Sequence, residues 1–307
     1  MELDSLELGV LDHLASDRLY VKYFDLDWDE QRGQAIPLAS VQWEYSPAAD
    51  LEIVPVIFIT TRVLEQLSDR AIPAVAKKMA AHIKKLHPQL SQITQIQVDC
   101  DWTPSTKERF FSLVRSLRKA FPPSVIWSAT IRLHQIRDYR QTKVPPVDRG
   151  MLMFYNMGSL RTWEETNAIL NLEAARTYMT GAVAAYPLPL DVALPLYHWG
   201  AIFRRGALTY LINGLDENAL DDTTRFRSLS NGRYEVVKNT YLETYYLYSG
   251  DRIRLDRATP AAVQQAADAV ADWLPQKPRY LAFYHLDESV LASWTYDELS
   301  QICRPFD

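Results

Sequence analysis

Residues 93–106 read ITQIQVDCDWTPST, and the alternation within them decides the fold class. Side chains along a strand point to opposite faces in turn. Ile96, Val98 and Cys100 therefore share one face, and Gln95, Gln97, Asp99 and Asp101 share the other. Residues 127–135, WSATIRLHQ, repeat the pattern, with Trp127, Ala129, Ile131 and Leu133 on one side and Ser128, Thr130, Arg132 and His134 on the other. Each run is apolar on one face, polar on its opposite, and flanked by a helical pattern. That combination predicts neighbouring strands of an α/β sheet whose apolar face meets helices. A barrel built for stability alone fills its lumen with branched apolar residues. The polar face thus predicts a site, and Arg132 is expected to pair with one of the aspartates, because unpaired charge inside a protein is costly.

Further strand-length apolar or aromatic runs occur at 19–24, 53–59, 151–155, 192–197, 241–248 and 280–284, which makes eight with the two already described. Helical periodicity fills the gaps. Over 70–86, Ile72, Val75, Ala76, Met79, Ile83 and Leu86 recur at three and four spacing with Lys77, Lys78, Lys84 and Lys85 opposite. Over 106–120, Phe110, Phe111, Val114 and Leu117 lie on one side, after Pro104 and Ser105 as a helix start. The stretches 171–185 and 260–274 are alanine-rich and amphipathic. Eight strands alternating with helices favour a (β/α)8 TIM-like barrel over an open sheet, because the first strand runs into DLDWDEQRG and not into a glycine-rich turn. Residues 34–45 are expected to add a strand or hairpin after the first strand, and 216–235 to form a long irregular loop. No linker or repeat divides the chain, so 1–307 is expected to be a single barrel domain.

Composition narrows the function. Only 10 of 307 residues are glycine, about 3% against a usual 7% or so, and no two are placed as in a dinucleotide fingerprint or a P-loop. A net charge of -5 argues against a nucleic-acid partner or a polybasic membrane patch. Cys100 and Cys303 allow at most one bridge and no cysteine zinc site. No apolar run reaches the roughly 18 residues of a membrane span, and the acidic start MELDSLELGVLDHL is unlike an export signal. If a leader has been removed, the cell envelope is the favoured compartment.

The candidate site centres on Asp99 and Asp101, two residues apart on one face and so about 6 to 7 Å apart at Cα. A pair of carboxylates is what acid–base cleavage of a glycosidic bond uses, and their mutual repulsion raises one pKa. The bland alternative is that Asp101 caps the next helix while Asp99 pairs with Arg132. Asp25 and Asp27, in a polar loop after the first strand, would join the same mouth, with Asp25 as a further acid. Asp191 in PLPLDVALPL needs a partner, and it either lines the site or bridges the barrel floor. Tyr155, Asn156 and Trp199 are expected to supply ring faces and an amide for a sugar, although in a chain with 17 Tyr and 8 Trp some aromatics, such as Tyr197, fall at a barrel mouth by chance. His134, His198 and His285 lack metal-ligand spacing, so neither a metal nor a cofactor is expected.

VDCDWT and the MFYN of Met153–Asn156 resemble the D-x-x-D-x-D-W-E and M-x-Y-D signatures of glycoside hydrolase family 18, over about ten residues. The resemblance implies that Asp99 and Asp101 match the two later aspartates and that Met153 and Tyr155 line a sugar site. Thr103 stands where that family has its catalytic glutamate, Ile96 replaces the first aspartate, and Asn156 replaces the aspartate after the tyrosine. Across its length the chain also resembles bacterial envelope proteins described as glycoside-hydrolase-like barrels. Taken together, these features point to a glycan-processing or glycan-binding barrel, a glycoside hydrolase if it is catalytically active. Catalytic Asp99 and Asp101 would be served by Asp25, Arg132, His134, Tyr155, Asn156, Asp191 and Trp199. The alternative is an inactive barrel that binds a glycan or an envelope protein.

Overall fold

The computed structural model describes residues 2–44, 51–87 and 93–306. Strands are numbered in chain order: β1 (Arg18–Asp29), β2 (Gln34–Leu38), β3 (Glu52–Ile59), β4 (Gln95–Asp99), β5 (Ile126–Arg132), β6 (Arg149–Met153), β7 (Leu190–Pro195), β8 (His198–Arg204), β9 (Ala207–Asn213), β10 (Phe226–Ser230), β11 (Arg233–Val236), β12 (Thr240–Leu242), β13 (Tyr245–Leu247), β14 (Arg252–Arg257) and β15 (Leu281–Tyr284). Eight of them form one sheet in the order β15-β7-β6-β5-β4-β3-β1-β2. By its contacts the chain divides into two compact units, residues 1–153, 181–192 and 274–280 in the first and the rest in the second. The cuts fall inside β7, at the ends of β6 and of the helices Leu172–Met179 and Pro260–Trp273, and just before β15, where composition carries no linker signal.

In the first unit, β1, β3, β4, β5 and β6 pair in parallel, as alternation with helices requires. Pro73 opens the helix Ile72–Leu86, which buries Ile72, Ala76, Met79, Ala80 and Ile83 and ends on Lys84 and Lys85, favourably placed against the negative end of the helix dipole. The helix Lys107–Arg118 buries Phe110, Phe111, Leu113, Val114 and Leu117 and likewise ends on cations. Ile96, Val98 and Cys100 are buried on the helix side as expected, and burial pushes the Cys100 thiol pKa well up. Cys100 and Cys303 are not joined in a disulfide.

Four expectations are corrected. DLDWD is strand and not loop: β1 runs to Asp29 because β2 gives it an antiparallel partner, with Asp25 beside Leu38 and Asp27 beside Ile36. Gly33, at φ 59°, closes the turn between them. The added hairpin is therefore present, although residues 45–50, where its predicted span ends, lie outside the described residues. Second, 241–248 is no barrel strand, since a turn at Glu243 (φ 50°) folds it into the hairpin β12–β13. Leu242 and Leu247 are buried there, whereas Tyr241, Tyr246 and Tyr248 are exposed. Third, 216–235 holds a 3-10 turn at Glu217–Leu220 together with β10 and the start of β11. Fourth, β5 stops at Arg132, where the helix Leu133–Arg137 begins and the Gln135 side chain accepts from the Arg132 amide at 2.8 Å.

The second unit carries an antiparallel sheet in the order β10-β11-β14-β8-β9. Its core gathers Ile202, Ile212, Leu215, Phe226, Val236 and Ile253, among others. Arg254 and Asp256, neighbours on one face of β14, are fully buried as a pair. Apolar alternation on these short strands is interrupted by such charges, which hides the sheet from a sequence reading. Among the described residues, no helix is long and apolar enough to cross a membrane.

Candidate functional site

In the first unit the expected polar face is realised as a ladder between β4 and β5, whose register sets Gln97 beside Ser128. Gln95 Nε2 donates to Ser128 Oγ at 2.8 Å, and Ser128 Oγ donates to Gln97 Oε1 at 3.2 Å. One rung further, Thr130 Oγ1 donates to Asp99 Oδ1 at 2.6 Å. At the C-terminal end, Arg132 grips Asp101 with Nε on Oδ1 and with Nη2 on Oδ2 at 3.0 Å. Arg132 therefore pairs with Asp101 and not with Asp99. Gln95, Gln97, Ser128 and Thr130 are all buried, and each finds its partner within the ladder, as buried polar groups must.

The two carboxylates are thereby made unequal. Asp99 is pushed above the ordinary aspartate range, chiefly by burial and further by the charges of Asp101 and Asp25, against the opposing pull of the Thr130 hydroxyl and Arg132. Asp101 is 45% exposed along its side chain and engaged through both oxygens, so it faces solvent with its arginine attached. Asp25 sits on β1 with Lys22 Nζ 3.2 Å from Oδ2. Its charge reaches Asp99, so these three aspartates belong to one electrostatic group. Asp27 is drawn off by Arg62 and accepts from Thr60 Oγ1 at 2.8 Å; the Arg62 guanidinium holds it below the usual range.

His134 is not on the strand face. It lies in the helix after β5, exposed, because the strand ends two residues before it. Thr103 is exposed in the turn after Asp101, where its hydroxyl lies 2.8 Å from Ser105 Oγ and its amide donates to Thr106 Oγ1 at 2.9 Å. Trp102 points into the core, stacked 5.1 Å from Phe110 with its indole N–H on Thr142 O.

Asp191 belongs to another part of this unit. It is 1% exposed and opens β7, so it lies at the opposite end of the sheet from the strand ends that carry Asp101 and Arg132. Arg149 Nε and Nη2 donate to its two oxygens at 2.8 and 2.6 Å, and the Arg279 and Tyr280 amides both donate to Oδ1 at 3.0 Å. It is saturated and bridges the sheet floor, which was the bland alternative.

Tyr155, Asn156 and Trp199 come together in the second unit. Tyr155 stacks on Tyr284 at 5.3 Å between ring centroids, and Tyr197 donates from its hydroxyl to Asn156 Oδ1 at 2.7 Å. Tyr284 is 48% exposed, so this stack offers one open ring. Trp199 is buried with its indole N–H on Asp256 Oδ2 at 2.8 Å, and its face is closed to a ligand. Sequence reasoning passed over Thr130, Lys22 and Tyr284 as site residues, although Thr130 shares the parity of Arg132 and Tyr284 that of Tyr280. Among the described residues, no group of three or more His, Cys, Asp or Glu is placed to hold a metal ion.

No family model matches the chain, and no curated protein is similar to it in sequence. Solved structures do resemble it. The spore cortex-lytic enzyme SleL of Bacillus cereus is 12% identical at a TM-score of 0.56, over 99% of this chain and 71% of that one. A chitinase of Bacteroides thetaiotaomicron is 12% identical at 0.55, over 100% of this chain and 94% of its own. The family 18 chitinase ChiB of Flavobacterium johnsoniae is 11% identical at 0.52, over 100% and 92%. At this identity the likeness speaks for the fold: the chain has a distant glycoside-hydrolase-family-18-like fold, with an eight-stranded mixed sheet and helices.

Proposed function

We propose that the protein processes a glycan on a (β/α)8-like topology, with Asp99 as the group that carries the proton. The observation behind this is the inequality of the two carboxylates. Burial, first of all, lets Asp99 hold its proton to higher pH than an ordinary aspartate, and the charge of Asp101, itself fixed by Arg132, adds to this. A carboxyl group with a raised pKa is suited to donate a proton to a glycosidic oxygen and, once ionised, to take one from water. Asp101 and Arg132 orient the sugar hydroxyls and Asp25 adds a third acceptor. In the second unit, taken by itself, the open ring of Tyr284 stacked on Tyr155 offers a face of the kind a pyranose packs on. The chitinase and cortex-lytic relatives in fold suggest chitin oligosaccharides and cell-wall glycan as first substrates.

A second reading, a glycan binder without turnover, is favoured by Thr103. Its hydroxyl is tied into the turn at Ser105 and cannot replace the missing glutamate as an acid. Turnover and binding are measured together for the wild type and for Asp99→Asn on those substrates. Product from the wild type, with binding kept and product lost in Asp99→Asn, supports the first reading. Binding without product in both supports the second. Neither binding nor product refutes both and directs the search to an envelope protein partner.

A further inference from the structure

We infer that the outer face of the helix pair Ile72–Leu86 and Lys107–Arg118 docks on an anionic phospholipid surface. Residues 70–87 and 107–119 hold ten Lys and Arg against the single carboxylate of Glu108, a local balance of +9 in a chain of net charge -5. The remaining residues therefore carry -14, and the polarity is too strong to be even scatter. The overall net charge of -5, which argues against a polybasic patch, conceals it.

The two helices pack against each other within the first unit and turn their apolar sides inward. Lys84 Nζ donates to Ala120 O at 2.9 Å, which sets the C-terminal turns side by side. Some of the cations are used locally: Arg118 on Asp148, Arg109 near Asp69, and Lys107 on Gln141 O. Lys77, Lys78, Lys85, Arg115 and Lys119 are exposed and make no ion pair among the described residues. Lys77 and Lys85 lie eight residues apart, about 12 Å along the axis. Ala81, exposed between them, and Ala74, exposed just before Lys77, are small enough to let a surface approach.

The chemistry favours a flat, diffuse anion field. The cations are long, separately mounted side chains without a pocket that would select one phosphate. The exposed face carries no aromatic ring on which a nucleic-acid base could stack. A bent or wrapping polyanion would also meet the -14 of the remainder, whereas a bilayer meets only the face presented to it. The C-terminal turns that carry Lys85, Arg115 and Lys119 lie at the end of the sheet opposite to the strand ends that hold Asp99 and Asp101.

The test is cosedimentation of the full chain with vesicles of phosphatidylglycerol and phosphatidylcholine, against pure phosphatidylcholine, at 50 mM and 500 mM salt (both about these values, chosen on either side of the roughly 8 Å screening length of physiological salt). Binding to the anionic vesicles alone, lost at high salt, is expected. Each cation removed should weaken partitioning about fivefold, so Lys77→Gln/Lys78→Gln/Lys85→Gln should lose about two orders of magnitude, while Lys238→Gln, exposed in the second unit, changes little. Unchanged melting of the triple variant, expected for exposed lysines, keeps the comparison valid, and Arg115→Gln/Lys119→Gln on the other helix repeats it independently. Equal binding to neutral vesicles, no binding at low salt, an unaffected pair of variants, or retention on a sulfated polysaccharide without vesicle binding each overturns the proposal.

Discussion

Replacing Asp191 by Asn tests whether this residue holds the fold or serves a ligand. The aspartate oxygens take four hydrogen bonds, two from Arg149 and two from the Arg279 and Tyr280 amides, and its side chain is 1% exposed. An Asn oxygen in place of Oδ1 can keep the two main-chain donors, but its NH2 then faces Arg149 Nε–H, donor against donor. The loss includes one charge-assisted hydrogen bond, worth about 1.5–3 kcal/mol, and a buried pair broken from one side, for which about 3–5 kcal/mol is usual. The two overlap. Because the Arg149 side chain is 17% exposed and can turn toward water, the low end applies, about 3 kcal/mol. Urea unfolding of both proteins at pH 7 measures it, and glycan binding should be unchanged. Adding Arg149→Met to Asp191→Asn should restore part of the loss, as coupled neighbours do. A loss under about 1 kcal/mol, or intact stability with binding abolished, would refute the structural assignment.

Three further outcomes are expected. Asp99 has a raised pKa in the folded state, so its ionisation weighs against folding: its contribution is fully present below the unfolded pKa and lost as pH rises through the folded one. Asp99→Asn should therefore gain in melting temperature over the wild type between pH 4 and pH 8 or so, and an offset that does not vary with pH would contradict the raised pKa. Trp199→Phe removes a donor from fully buried Asp256 and should cost about 1.5–3 kcal/mol, read by chemical denaturation, with sugar binding intact; a binding defect at full stability would return Trp199 to the ligand site. Gly150→Ala would place its Cβ 2.8 Å from both Ile131 Cγ1 and Leu190 Cδ2, so a loss of about 1–3 kcal/mol is expected in the same measurement; a neutral result would mean that these side chains yield freely.

What could be read in advance was whatever depends on a period of two or of 3.6. The faces of β4 and β5, the Arg132–aspartate pair and both long helices follow from such spacing, and all stand in the structure. What escaped depends on partners distant in sequence. Nothing within DLDWD announces that β2 will extend β1, and nothing at His134 that Gln135 will cap the chain into a helix. The aromatic run 241–248 has the length and composition of a strand, yet one left-handed residue at Glu243 turns it into a hairpin with Tyr241, Tyr246 and Tyr248 exposed. Asp191 and Trp199 looked available because a sequence shows a polar atom but not the group that already occupies it.

The β4–β5 ladder also has a direction. Arginine has only donors, so Arg18 Nη1 at 2.9 Å forces Gln95 to turn its oxygen toward it. That choice commits the Gln95 amide hydrogen to Ser128, and the Ser128 hydroxyl hydrogen in turn to Gln97 Oε1. Each proton points away from Arg18 and toward the strand ends, as in a row of compass needles aligned by one magnet. With its oxygen taken, Gln97 offers hydrogens at the rung next to Asp99. A guanidinium at the far end of β1 thus decides which way two buried amides lie, and replacing Arg18 with an uncharged residue would free them to reverse.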